Sequence, residues 1–166
     1  MESPVVSLRE AGPEDLDRAE ALVREAYAEF RPEFSEEIWQ KWLDNVSRAV
    51  HAPEGVLFLA EVAGELAGVV KFYPDARQSG LGRWPAGAAS MRVPAVAPRF
   101  RGQGVGSLLV REVLRRARTL GIGTIYLYTG KFMHAARRLY EGLGFVRAPE
   151  FEKTPGPLAY RLELED

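Results

Sequence analysis

A chain of 166 residues with 46% hydrophobic and 27% charged side chains has the balance of one globular domain with a substantial core. Its apolar runs fall short of the roughly 20 residues that a membrane span needs, and the N-terminus lacks the basic-then-apolar order of a signal peptide, so a cytoplasmic home is expected. With no cysteine and two histidines, disulfides and an acyl-cysteine intermediate are excluded and a metal site is not expected. The net charge of −1 is unevenly spread: residues 1–70 hold fifteen acidic against six basic side chains, and residues 91–120 hold seven arginines and one glutamate.

In chain order, Val5 to Arg9 reads as a short strand, and Gly12-Pro13-Glu14-Asp15 opens a helix, with proline early and acids complementing the dipole. Leu16, Ala19, Val23, Ala26, Tyr27 and Phe30 form one apolar stripe that Arg31-Pro32 ends. A second helix is expected from Ser35, its N-cap, to about Val50, with Ile38, Trp39, Trp42, Leu43 and Val46 facing inward. Gly55 to Val62 and Leu66 to Phe72 are strands joined by the hairpin Ala63-Gly64-Glu65. Pro74 to Gly87, with three glycines, two prolines and Trp84, is either a long hairpin loop or a flap over a binding site. Strand Ala88 to Val96, helix Gly104 to Leu120 stopped by Gly121, strand Thr124 to Thr129, helix Phe132 to Leu143, strand Phe145 to Arg147 and strand Ala159 to Glu163 complete the order. Pro94 cannot donate a ladder hydrogen bond and so argues against an ordinary central strand.

The stretch Val96 to Leu109 carries the chemistry. An apolar strand runs into alternating glycines at 102, 104 and 106, and an amphipathic helix opens at Val105. Such a turn leaves backbone N–H groups unpaired at the positive end of a helix dipole, a setting for phosphate. The dinucleotide fingerprint fails, because the spacing is Gly-x-Gly-x-Gly and strand Thr124–Thr129 ends without a carboxylate. A nucleoside-triphosphate loop fails as well, because no Gly-Lys-Ser/Thr follows. The basic residues are not interleaved with aromatics as in a nucleic-acid surface.

Arg101-Gly-Gln-Gly104-Val-Gly106 resembles the Arg/Gln-x-x-Gly-x-Gly/Ala turn of the GNAT superfamily of N-acetyltransferases. Pro94-Ala95-Val96-Ala97-Pro98 ahead of it is similar to that family's Leu-Ala-Val-x-Pro strand. Some 30 residues on, Ala136-x-x-Leu139-Tyr140-Glu-x-Leu-Gly144-Phe145 resembles its second hallmark. With the flanking elements, the resemblance covers nearly all of residues 1–166 as one domain. It implies an α/β (α+β) fold: a mixed, mostly antiparallel central sheet, splayed between its fourth and fifth strands, with helices on both faces. It further implies acetyl-CoA as cosubstrate and direct transfer of acetyl to an amine in a ternary complex.

By the same resemblance, the pyrophosphate is held by Arg101, Gly102, Gln103, Gly104, Val105, Gly106 and Ser107. The amides of Ala95 or Val96 polarise the thioester carbonyl, an oxyanion-hole device. Tyr140, a phenol of ordinary pKa about 10, protonates the departing thiolate. Relatives shape the acceptor pocket around the early helices, which makes Tyr27, Phe30 and Phe34 candidates for its wall. One departure is Met133, where many relatives carry an asparagine that bonds the cofactor arm; Thr129 or Lys131 are the available replacements. Glu61, Asp75, His134 and Glu150 are open options for a general base, and none is singled out. The acidic N-terminal half suggests a cationic acceptor, or only solvated helix faces. Homodimers are common in the family. A non-catalytic coenzyme A-binding module remains the alternative, motivated by Met133 and Pro94.

Overall fold

The computed structural model describes residues 5–164. Seven strands form one sheet: β1 (Val6–Glu10), β2 (Val56–Val62), β3 (Glu65–Tyr73), β4 (Ala89–Val96), β5 (Thr124–Thr129), β6 (Val146–Arg147) and β7 (Leu158–Glu163), in the order β1-β2-β3-β4-β5-β7-β6. Every neighbouring pair is antiparallel except β4 with β5.

Four helices cover the two faces. α1 (Leu16–Tyr27) and α2 (Glu36–His51) pack on the side of Leu57, Leu59, Val69 and Ala95. α3 (Val105–Thr119) and α4 (His134–Gly142) pack on the side of Phe58, Ala60, Val70 and Phe72. The two-residue alternation of β2 and β3 divides their apolar residues between these cores, which is why both strands read as almost continuous hydrophobic runs.

Several boundaries differ from the sequence expectation for local reasons. β1 is shifted by one residue, and α1 is entered through a 3₁₀ turn over Pro13–Asp15. α1 ends at Tyr27 rather than near Arg31, because the chain tightens into a 3₁₀ turn over Ala28–Glu33 that accommodates Pro32. α4 starts at His134, two residues late. In α2 the Ser35 hydroxyl accepts from the Ile38 N–H at 3.2 Å, the expected cap. Ile38 itself was expected in the core, yet it is 54% exposed, since it stands on the rim of a chamber described below.

Entry to α1 is fixed by Asp15, which is buried. Its carboxylate accepts from Arg9 at 2.8 and 2.9 Å, from Arg18 at 2.6 Å and from the Gly12 N–H at 2.8 Å. These donors hold the Asp15 carboxyl well below the usual carboxylate range, the Arg9 hydrogen bonds most strongly.

Candidate active site

The site lies where the sheet comes apart. β4 and β5 pair at Ala89 with Ile125 and at Ser90 with Tyr126, and not beyond. On the other side of β4, the two steps from Val69 to Lys71 on β3 face the three from Arg92 to Ala95, so a bulge sits at Val93–Pro94. Val93 takes φ +49, a left-handed value that costs a β-branched residue about 1–3 kcal/mol. Pro94, awkward in an ordinary central strand, falls in this bulge, where its missing N–H breaks no regular ladder.

The bulge decides which amides face the gap. The Ala97 N–H donates to Ala67 O on β3 at 2.9 Å. Amide direction alternates along a strand, so the Ala95 N–H also points to β3 and the Val96 N–H turns to the opening. Ala95 is part of the cleft lining, but its amide is spent inside the sheet. The carbonyl of Pro94 also faces away from β3 and accepts from the Tyr27 hydroxyl at 2.5 Å.

Past β4, Gly102 and Gly104 take φ +78 and +81. No atom lies within 4 Å of a Cβ built on either, so backbone conformation, not crowding, demands glycine here. Gly104 is the N-cap of α3 and has no side-chain cap. The first bond of this helix runs from the Leu108 N–H to Gly104 O at 3.1 Å, which leaves the amides of Val105, Gly106 and Ser107 as its orphan donors. Gly68 brings β3 close beneath them: a Cβ there would lie 2.9 Å from Ala95 O and from Leu109 Cδ1.

Two cavities converge on this gap. A cleft of 440 Å³ is lined by Ala95, Val96, Arg101, Gly102, Gly104, Val105 and Gly106, together with Phe30 from the turn after α1 and Leu139 from α4. Gln103 and Ser107 are outside its lining, and the Ser107 hydroxyl accepts from Arg111 Nε at 3.1 Å. Arg101 is at the cleft but committed: it donates to Ala26 O at 2.8 Å and to Glu29 at 3.3 Å, tying the turn to the end of α1.

The second cavity, a chamber of 670 Å³, is walled by aromatics, among them Phe34, Trp42, Trp84, Tyr128 and Phe132. Rings link in series from Tyr27 to Trp42 (5.1 Å), Trp42 to Trp39 (5.1 Å), Trp39 to Phe34 (5.6 Å) and Phe34 to Phe132 (5.5 Å). On the opposite wall Trp84 stacks on Tyr126 at 4.8 Å and meets Tyr128 in a tilted pair at 4.7 Å, anchoring the 74–87 loop. Trp84 Nε1 is the one buried side-chain donor without a partner among the described residues. The charged lining is Glu33, Arg92 and Lys131, not the acidic surface that the N-terminal composition suggested.

Four residues belong to both cavities: Tyr27, Pro94, Met133 and Tyr140. Tyr140 is 2% exposed on α4, packed against Phe145. Burial, reinforced by nearby Tyr27, pushes its phenol well above the usual tyrosine value. Burial likewise raises Tyr27. Met133 stands at the start of α4, and its sulfur accepts from the Thr129 hydroxyl at 3.6 Å, so Thr129 is engaged with Met133 itself.

The carboxylates considered as bases lie elsewhere in ion pairs: Glu61 with Arg9 (2.6 Å), Asp75 with Arg77 (3.0 Å) and Glu150 with Arg161 (2.7 Å). His134 is exposed and lines neither cavity. Among the described residues no group of three or more His, Asp or Glu side chains could hold a metal ion. No helix there is long and apolar enough to cross a membrane.

A mixed sheet opened by a bulge, an uncapped helix N-terminus at the opening and two cavities sharing one wall are the architecture of an acyl-group transferase. Residues 16–145 match the acetyltransferase (GNAT) family, and the chain belongs to that family. It is 29% identical over 154 residues to an N-acetyltransferase of Schizosaccharomyces pombe, covering 92% of this chain and 90% of that one. It is also 29% identical over 111 residues to N-acetyltransferase family 8 member 2 of Rattus norvegicus, where the match covers 66% of this chain and 46% of that protein, about half its length. Among solved structures, the PaiA N-acetyltransferase of Thermoplasma acidophilum in complex with coenzyme A superimposes with a TM-score of 0.72 at 16% identity, covering 96% of this chain and 99% of that one. A GNAT family acetyltransferase of Brucella melitensis in complex with acetyl-CoA gives 0.67 at 20% identity, covering 98% and 90%. These likenesses establish the fold.

Proposed function

We propose that this protein is an acetyl-CoA-dependent N-acetyltransferase that moves the acetyl group directly to an amine within a ternary complex. One observation carries the reading: the glycine-turn cleft and the aromatic chamber meet at a buried tyrosine, Tyr140. The orphan amides of Val105, Gly106 and Ser107 hold the diphosphate, helped by the helix dipole. Val96, not Ala95, offers the amide to the cosubstrate along the open edge of β4, where it can receive the negative charge that develops on the carbonyl oxygen. Arg101 acts by bracing the turn against α1.

The acceptor enters through the chamber as the free amine, its ammonium proton lost to water. A carbon–nitrogen bond forms at the thioester carbonyl, the carbon–sulfur bond breaks, and the thiolate takes the phenolic proton of Tyr140, which solvent or the second amine proton restores. Because burial keeps that phenol neutral well beyond pH 7, it is present as a donor throughout the working range. The chain has no cysteine to carry the acetyl group, which favours the direct route. Support for acetyl-CoA comes from the family and from structural neighbours crystallised with coenzyme A or acetyl-CoA. The binding-module alternative loses one of its motives, since the bulge absorbs Pro94.

The test is thiol release from acetyl-CoA across an amine panel, with Tyr140→Phe beside the parent chain. We expect kcat to fall by about 10²–10⁴-fold while calorimetry shows acetyl-CoA binding unchanged. Undiminished turnover would remove the tyrosine from the chemistry.

A further inference from the structure

We propose that the acceptor is an amino acid with a large apolar side chain, and that Arg92 reads its carboxylate from the wall of the chamber. The inference rests on the transferase reading above and adds the acceptor's class. Arg92 departs from what surrounds it. It interrupts the apolar run from Met91 to Ala97, and it lines the chamber immediately before the bulge.

Among the described residues Arg92 has no carboxylate within 4 Å; Arg48, Arg83, Arg111, Arg118, Arg137 and Arg138 share that lack, but none of them lines either cavity, whereas Arg101, the other arginine that does, is paired with Glu29. Its Nη1 donates to Ser79 O at 3.0 Å and the Tyr73 hydroxyl lies beside it, which aims the group but leaves its charge unanswered. The neighbouring charges add to the imbalance. Arg48 repels it, and Lys71, directly opposite in the β3–β4 register, is a second largely buried cation, bonded to Ala52 O at 2.9 Å, with Glu54 as the carboxylate near it. Desolvation works against the charged form, yet a guanidinium does not give up its proton in a protein. A chamber wall that keeps an unpaired, partly desolvated guanidinium favours an anionic group arriving with the ligand, and a carboxylate fits its planar fork.

Geometry and wall chemistry supply the rest. The transferred acetyl group must reach the junction at Pro94 and Tyr140, and Arg92 is two residues, roughly 6–7 Å of strand, behind Pro94. An amine at the junction and a carboxylate on Arg92 therefore belong to one small molecule with few bonds between them, as in an α-amino acid. The remaining wall, with Phe34, Trp42, Tyr128 and Phe132, is aromatic, and 670 Å³ leaves room for a bulky apolar substituent.

The experiment compares initial rates of thiol release from acetyl-CoA for L-phenylalanine, L-tryptophan and L-methionine, for their decarboxylated amines and for their carboxamides. It uses the parent chain, Arg92→Gln and Arg92→Lys, with acetyl-CoA affinity by calorimetry reporting that each variant is folded. In the parent chain the acids should exceed the amines and amides by about 10–100-fold in kcat/KM. Arg92→Gln should erase that preference through KM with kcat preserved, and Arg92→Lys should fall between. Equal use of acids, amines and amides by the parent chain overturns the proposal even if neither variant folds. So does an Arg92→Gln variant that loses both series alike, or turnover with other amines but none of these acids. If acetyl-CoA binds and no amine of any kind releases thiol, it is the transferase reading that fails, and the acceptor assignment falls with it.

Discussion

The two cavities are built in different ways. The cleft takes its donors from main chain: one stretch, Val96 to Gly106, supplies a bulge-directed amide, two left-handed glycines and a helix N-terminus, while α1, α3 and α4 complete the wall. The chamber is made of side chains from α2, the 74–87 loop, β4, β5 and the 155–157 segment, which come together only in the folded chain. Backbone donors bind a feature shared by every reaction of the class. Side chains gathered from separate elements can change one at a time, so they suit the part of the reaction that distinguishes one substrate from another.

That contrast can be broken or sharpened by substitution. Gly104→Val should have the largest effect after loss of the Tyr140 hydroxyl. A left-handed residue with a Cβ costs about 1–2 kcal/mol, and the branched side chain occupies the space over the orphan amides. Acetyl-CoA affinity by calorimetry should drop about 10–100-fold with acceptor KM unchanged; a parallel rise in acceptor KM would show that the two cavities are not separable.

Tyr27→Phe probes the shared wall. It removes the hydroxyl that holds Pro94 O and should cost about 1 kcal/mol of stability. Both KM values should shift together by a few-fold in steady-state assays, because the bulge serves both sides. An effect on one alone would assign the bulge to that cavity.

Asp15→Asn is the control in a region that lines neither cavity. It should lower stability in a denaturant titration by about 1–3 kcal/mol and leave both KM values alone. The pH dependence has a definite sign. Because the folded carboxyl sits below its unfolded value of 3.8, its contribution is complete above about pH 4 and is lost as pH falls through the folded value. The parent chain should therefore show an acid-stability limb below pH 4 that Asp15→Asn lacks; the same limb in both would assign the loss to other carboxylates.

Much of the fold was readable residue by residue. The strand from Thr124 to Thr129 has the expected bounds, Ser35 caps α2 as its sequence suggests, and Tyr140, which its motif singled out, lines both cavities. Pro94 was visible as an anomaly, but the bulge that explains it depends on the register with β3, which no local pattern encodes. The choice between Ala95 and Val96 had the same origin, since it follows from which neighbour takes the Ala97 amide. Arg92 did leave a trace, a lone cation inside an apolar strand, whose meaning depends on its having no carboxylate within 4 Å among the described residues. Trp42 and Phe132 left none, because an aromatic at helical or loop spacing reads the same whether it fills a core or walls a cavity.

The sequence by itself determined the elements whose causes are local: helix periodicity, proline and glycine stops, the cap at Ser35, and the glycine turn whose amides cannot pair within their own helix. Tertiary structure alone decided where β4 leaves β5, which main-chain groups that departure exposes, and which distant side chains close around the space. Local pattern is set by the conformational preferences of a few neighbouring residues, whereas a cavity is defined by surfaces that meet only after the strands have chosen their partners and register.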